Sequence, residues 1–276
     1  MASIPKRVSD RLAAGVKKFQ PILASAKARD VNESDTVVIV TDVLADVFGY
    51  DKYSEVTSEF SIRGTYCDLA LKLDGKCQAL IEVKAIGTEL RDAHLKQCID
   101  YAANQGVEWA ILTNGIDWKI YHVIFAKPID QVLVAELTFA SLNTKDEAHM
   151  QLMFLFTREG WAKSAVGDYK TQREALSRFF IGATVISDAV VSVIRRELKR
   201  LSPDVRIEAD QIKEVLVNEV LKRDVLEGDK AISAKKAIGR AAARVLRTAK
   251  AIEAESAAPA ADIAEAPTSA QAPSLN

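Results

Sequence analysis

Residues Tyr66 to Ala85 read YCDLALKLDGKCQALIEVKA, and the alternation inside them decides the fold. In the first run Cys67, Leu69, Leu71 and Leu73 are apolar while Asp68 and Lys72 are not; in the second, Cys77, Ala79, Ile81 and Val83 alternate with Gln78, Glu82 and Lys84. A period of two marks strands, because successive side chains point to opposite faces of a sheet. Leu80 is the exception to the pattern. For the apolar positions of both strands to share a face, the loop between them must hold an odd number of residues, since a one-residue slip turns every side chain over. A three-residue loop of Leu73, Asp74 and Gly75, with Gly75 left-handed in a bulge, meets that condition. A two-residue Asp74-Gly75 turn would put Asp68 and Glu82 on opposite faces. The expectation is a hairpin that brings Asp68, Glu82 and Lys84 to one surface.

Upstream, Asn32 to Phe48 carries Val37, Val40, Leu44 and Val47 at helical spacing and ends at Gly49. Downstream, Thr88 is the expected cap of a polar helix that stops at Gly106. Two strands follow, Glu108 to Thr113 and Trp118 to Val123, joined through Asn114 and Gly115, and a further strand runs from Gln131 to Leu137. This order implies an α/β fold with a mixed β-sheet flanked by helices. After Ser141 only helical patterns remain: Lys145 to Phe156, Lys170 to Leu201, Ala209 to Arg223 with Asp210 as N-cap, and Lys230 to Ala254. The expected domains are an N-terminal helical arm (1–30), the sheet-bearing core (31–140) and an all-helical C-terminal region (141–254), with a break near Val166. Residues 255–276 are Ala, Pro, Ser and acids without an aromatic, a composition that cannot offset its ordering entropy, so a disordered tail is expected.

The 276 residues are 49% hydrophobic, enough for one good core and a smaller second one. No apolar run approaches the length of a membrane span. The basic N-terminus, interrupted by Pro5 and Pro21, lacks the form of a secretory signal, so a cytoplasmic location is expected. Cys67, Cys77 and Cys98 show no CxxC spacing and read as core residues, not as a disulfide framework or a zinc site. There is no GxxxxGK[ST] or GxGxxG, hence no nucleotide site, and His94, His122 and His149 are too scattered to read as ligands. The net charge is −1, but seven basic residues and no acid lie between Lys230 and Lys250. On a helix, Lys236, Arg240, Arg244 and Arg247 form a stripe suited to a phosphate backbone; the plainer reading is a solvated face.

Two carboxylates and an ammonium on one sheet face suit phosphodiester hydrolysis. Carboxylate oxygens are hard donors of the kind magnesium takes. A bound magnesium polarises the phosphate and acidifies a water, while Lys84 positions or deprotonates that water and stabilises developing charge. The triplet Glu-x-Lys is not specific, since Glu197 and Lys199 repeat it on a predicted helix. The plainer reading is a set of cross-strand charge pairs on a solvated face.

Three ordered stretches carry a resemblance: VFGYD at Val47 to Asp51, RGTYCDLAL at Arg63 to Leu71 with IEVKA at Ile81 to Ala85, and QCIDYAANQGVEWAILTNGIDWKIY at Gln97 to Tyr121. Over about residues 30–137 the chain resembles the N-terminal nuclease domain of type I restriction enzyme R subunits, in the PD-(D/E)XK superfamily. The resemblance implies a restriction-endonuclease-like sheet and a magnesium-dependent DNA nuclease, with manganese an acceptable substitute. It implies an endonuclease in preference to an exonuclease, working in restriction or phage defence. It makes Asp68 and Glu82 metal ligands, Lys84 the catalytic lysine, and Gln97 and Tyr101 the helix motif at the border of the site. Glu33 is either a further acid of the site or a first-turn acid favoured by the helix dipole; Gln97 and Tyr101 can equally be a surface pair. Cys67 stands where the wider superfamily often has Pro. With no Walker loop in the sequence no translocating motor is expected in this chain, so ATP-dependent cleavage is not carried over, and a motor or specificity subunit would act in trans. The alternatives are a nuclease-fold DNA-binding adaptor without activity and a structural partner of a larger complex. The C-terminal helices remain a DNA-contact module, a dimerisation element of a homo-oligomer, or a cap over the sheet.

Overall fold

A computed structural model describes residues 3–62 and 65–256, apart from the side chains of 59–62, 65, 66, 97, 246 and 249–256. The tail reading for 257–276 lies outside the described residues, while residues 255 and 256 close a helix. The chain divides into two compact units, one ending at Arg173 and the other beginning at Glu174. No helix among the described residues is long and apolar enough to cross a membrane.

The first unit opens with α1 (Lys6–Ala28) and α2 (Glu33–Asp46). Along α1, Val8, Leu12, Val16, Phe19, Leu23 and Ala26 recur at three- and four-residue intervals and are buried in the main core, so this stretch is packed into the fold. Pro21 lies inside the helix without ending it. Gly15 lets α1 approach closely, because a Cβ there would stand 2.7 Å from Val47. The α2 helix is capped as its sequence suggests, with Asn32 Oδ1 accepting from the Asp35 N–H at 2.9 Å.

Then follow β1 (Val56–Ile62), β2 (Thr65–Leu73), β3 (Lys76–Val83), α3 (Lys96–Gln105), β4 (Trp109–Thr113), β5 (Asp117–Ile124) and β6 (Asp130–Thr138). They form a mixed six-stranded sheet in chain order, antiparallel except for β3 and β4, which are parallel and joined through α3. Only a crossover connection can place consecutive strands in parallel. Helix α3 begins later than expected. Thr88 caps no helix; its N–H turns back to the Ala85 carbonyl, and a 3-10 turn over Asp92–Leu95 leads in. The stop is as expected, with Gly106 left-handed at φ 67°.

The sheet is covered on both faces. Leu69, Leu71, Ile81, Ile111, Trp118 and Ile120 pack in the same cluster as α1 and α2. Ala70, Leu80, Ala110, Leu112, Tyr121 and Val123 pack with Leu95, Cys98, Ile99 and Ala102. The break in the β3 pattern at Leu80 is thereby explained, because a strand buried on two sides needs apolar residues on both. After the sheet come α4 (Glu147–Phe154), α5 (Arg158–Ala162) and α6 (Ala165–Ala175).

The second unit holds α7 (Arg178–Val185), α8 (Asp188–Leu201), α9 (Ala209–Val215), α10 (Arg223–Leu226) and α11 (Asp229–Ser256). The single helix expected from Lys170 to Leu201 is in fact three, broken at Ser177 and Ser187. Ser177 Oγ accepts from the Phe180 N–H at 3.3 Å, and the Ser187 hydroxyl donates to the Thr184 carbonyl at 2.6 Å. Such local bonds let serine compete with helix continuation. The cap of α9 is Glu208, in a box with Gln211, and not Asp210. That helix stops at Val215 and gives way to a π turn over Leu216–Val220, short of the expected Arg223.

Candidate active site

The hairpin reaches the expected convergence by a different device. Leu73 pairs with Lys76 across a two-residue turn of Asp74 and Gly75, at φ 50° and 75°, the left-handed pair that a tight hairpin turn requires. The three-residue loop is therefore wrong. The register is Lys72 to Cys77 but then Leu71 to Ala79, so Gln78 is an extra residue, a bulge in β3. Beyond it Leu69 faces Ile81, and Asp68 and Glu82 are the next residues along the two strands. The parity change assigned to the loop is made inside the strand. The bulge also moves Cys77 off the face of Ala79 and Ile81, to pack with the α3 cluster, where Cys67 lies as well.

Beyond the strand pair the side chains close on one another. The Val83 N–H donates to Asp68 Oδ2 at 2.7 Å, which fixes that carboxylate at the end of β3. Lys84 Nζ donates to Glu82 Oε1 at 2.7 Å and stands 3.5 Å from both carboxylate oxygens of Glu33. The Lys84 N–H donates to the Thr113 carbonyl at 2.8 Å, extending the β3–β4 ladder to the lysine itself. Glu33 occupies the first turn of α2, so the dipole reading and the site reading describe the same placement. Asn114, 4% exposed, secures the neighbouring turn: Oδ1 accepts from the Ile116 and Asp117 N–H groups, and Nδ2 donates to the Thr88 carbonyl. Nothing in its sequence context beyond the hairpin turn marks it out.

Burial pushes the Glu82 carboxyl above its ordinary range; the Lys84 bond opposes this, and the charges of Asp68 and Glu33 add to it. Asp68 is raised for the same leading reason, against the pull of the Val83 N–H and Lys84. For Lys84, burial works downward, but the Glu82 bond and the fields of Glu82, Glu33 and Asp68 outweigh it and leave the ammonium above its ordinary value. Three carboxylates against one ammonium leave negative charge uncompensated in a half-buried place. Their oxygens are hard donors that a divalent cation of the magnesium kind would accept, and it would relieve the like-charge crowding.

Tyr101 of α3 is 4% exposed inside the second core cluster, beside Cys67 and Cys98, so it is not half of a surface pair. Gln97 lies on α3, but its side chain is outside the described residues. Lys236, Arg240, Arg244 and Arg247 are all exposed on α11, in the second unit. His94 and His149 accept backbone N–H groups, from Arg91 at 3.3 Å and Asn143 at 3.0 Å. The VFGYD stretch is structural. Arg11 bonds the carbonyls of Val47 and Phe48 and holds Glu159 at 2.6 Å, while Phe48 stacks in the core against Phe156.

Residues 39–152 match the family described as type I restriction enzyme R protein N terminus. The matched span includes Asp68, Glu82, Lys84, Gln97 and Tyr101, and leaves out Glu33 and the basic face of α11. No curated protein and no solved structure matches the chain.

Proposed function

We propose that this chain, whose residues 39–152 match the N-terminal family of type I restriction enzyme R proteins, is a metal-dependent DNA nuclease centred on Asp68, Glu82 and Lys84. The observation that carries the reading is the end of the bulged hairpin, where the Val83 N–H holds Asp68 Oδ2 at 2.7 Å and Lys84 Nζ lies 2.7 Å from the Glu82 carboxylate. The donor set fits magnesium, with manganese as a substitute: oxygen ligands only, from Asp68 and Glu82, with Glu33 close enough to Lys84 to belong to the same charge cluster. Bound there, the cation would supply Lewis-acid polarisation of the phosphate and an acidified water.

The chain's own residues supply the remainder. Asp68, held by the Val83 N–H, and Glu82, held by Lys84, keep their oxygens in fixed positions. Lys84 acts as a charged donor towards developing phosphate charge; its raised pKa argues against a role as base while the carboxylates around it are uncompensated. Tyr101 supports the wall of the site from α3. In this reading Lys236, Arg240, Arg244 and Arg247 contact the DNA backbone, the compartment is cytoplasmic, and the biological setting is restriction or defence.

The test is incubation of the full chain with circular and linear plasmid in the presence of magnesium, manganese or EDTA. Metal-dependent cleavage of the circle marks an endonuclease, and Lys84→Ala should abolish it while DNA binding survives. Equal cleavage by the variant, or none by the unmodified chain with either metal, sinks the proposal.

A further inference from the structure

Two thiols that the hydrolytic scheme does not use stand beside the acid that it does. The Sγ atoms of Cys67 and Cys98 and a carboxylate oxygen of Glu82 all lie within 4.8 Å of one another. They come from three separate elements, β2, α3 and β3. Cys67 is 1% exposed, Cys98 0% and Glu82 9%, so the group is enclosed on the thiol side and reached past the glutamate. The spacing of the cysteines along the chain gives no hint of this, because the contact depends on how α3 lies across the sheet.

The donor types decide which ion such a group would take. Magnesium prefers oxygen throughout, whereas thiolate sulfur selects zinc and its chemical relatives. A tetrahedral zinc ion, with bonds of about 2.3 Å to sulfur and about 2.0–2.2 Å to oxygen, holds its donors roughly 3.5–3.8 Å apart. The three ligand atoms, within 4.8 Å of one another, therefore need to close by roughly 1.0–1.3 Å at most, which rotation about side-chain bonds can supply. Three protein donors leave the fourth position to water, as in zinc sites that stay open to exchange.

We propose that Cys67, Cys98 and Glu82 form a binding site for a soft divalent cation of the zinc class, which shares Glu82 with the magnesium-type site and switches it off. The ligation stands on this geometry, and only the sharing of Glu82 rests on the nuclease reading. An ion held by the thiols draws the Glu82 carboxylate away from the hard-cation position and from Lys84. The two ions cannot both have it.

The test uses the full chain, reduced with a phosphine and freed of metal by a chelator, then titrated with cobalt(II) as a spectroscopic stand-in for zinc. A thiolate-to-cobalt charge-transfer band should grow to saturation at one ion per chain and be bleached by zinc. Cys67→Ser and Cys98→Ser should each weaken binding at least about tenfold, the scale on which removing even a group that supports a metal ligand is felt. Glu82→Gln should weaken it too, Cys77→Ser should not, and circular dichroism checks that each variant is folded. Absence of the band, or a band that survives both serine variants at Cys67 and Cys98, overturns the site. In the cleavage assay zinc should inhibit the unmodified chain and fail to inhibit Cys98→Ser. A cobalt band in a chain that never cleaves DNA keeps the thiol site and removes the nuclease; cleavage with no band does the reverse.

Discussion

Replacing Lys84 with methionine isolates what its charge does for the fold, because the unbranched stem is kept while the ammonium is removed. The side chains of Lys84 and Glu82 are 20% and 12% exposed and 2.7 Å apart, whereas the Glu33 side chain is 49% exposed and 3.5 Å away. Exposed pairs contribute about 0.2–1 kcal/mol, and removing one partner of a buried pair costs about 3–5 kcal/mol. The Lys84–Glu82 pair lies between those limits and the Glu33 interaction adds little, so the metal-free variant should lose about 2 kcal/mol at neutral pH. For a unit of this size that lowers the melting temperature by about 4–8 °C. The pH dependence gives the sharper check. The folded pKa of Lys84 is raised, so its contribution is complete below the unfolded value and is lost only as the solution becomes strongly alkaline. Glu82 also has a raised folded pKa, so on acidification it takes up a proton in the folded chain first, and the ion pair goes with it. The gap between unmodified chain and variant should therefore be widest at neutral pH and close as the pH falls through the folded pKa of Glu82. Thermal unfolding followed by circular dichroism in chelator, across that range, measures it. Equal melting at neutral pH, or a gap that persists unchanged into acid, would refute the charge balance assigned to the site.

Glu82→Gln should have the opposite sign in metal-free buffer. Burial disfavours the ionised carboxylate, so the variant should melt higher at neutral pH and lose that advantage in acid, while metal-dependent cleavage disappears; a lower melting temperature at neutral pH contradicts the account. Arg240→Ala with Arg244→Ala on α11 should flatten the salt dependence of DNA binding by about 0.9 in log–log slope for each phosphate no longer neutralised. An unchanged slope in equilibrium binding would return that helix to the role of a solvated face. Asn114→Ala strands the buried Ile116 N–H and the half-buried Asp117 N–H and Thr88 carbonyl and should cost about 2–3 kcal/mol, seen as a lower urea midpoint at unchanged m. A midpoint within error of the unmodified chain would show that solvent replaces the amide.

The strands from β2 onward, the helix-flanked sheet and the surface shared by Asp68, Glu82 and Lys84 were legible because hydrophobic periodicity records which side of a backbone meets the core. The means of achieving that shared surface was not. Parity requires only that one residue be out of step between β2 and β3, and a residue in the loop and one in the strand satisfy it equally. Asp74-Gly75 is the sequence of a two-residue turn, and taking that at face value would have forced the extra residue into the strand, at Gln78. Gln78 bears no glycine or proline to mark a bulge, so the local signal lay in the turn and not in the bulge. Leu80 pointed the same way: its burial under α3 shows that β3 has two covered faces, and Glu82 two residues on is a charge set into that covered part of the strand. The serines that split the helix expected over Lys170 to Leu201 were visible but ambiguous, since serine is tolerated in helices as well as at their starts. The meeting of Cys67 with Cys98 was beyond any reading by spacing, because it depends on the packing of α3 on the sheet. The charged residues thus follow from a count along one hairpin, while their thiol neighbours follow from how a helix crosses it. Substitutions in α3 should consequently disturb the approach of the two thiols before they disturb the Asp68–Val83 bond, which β2 and β3 make between themselves.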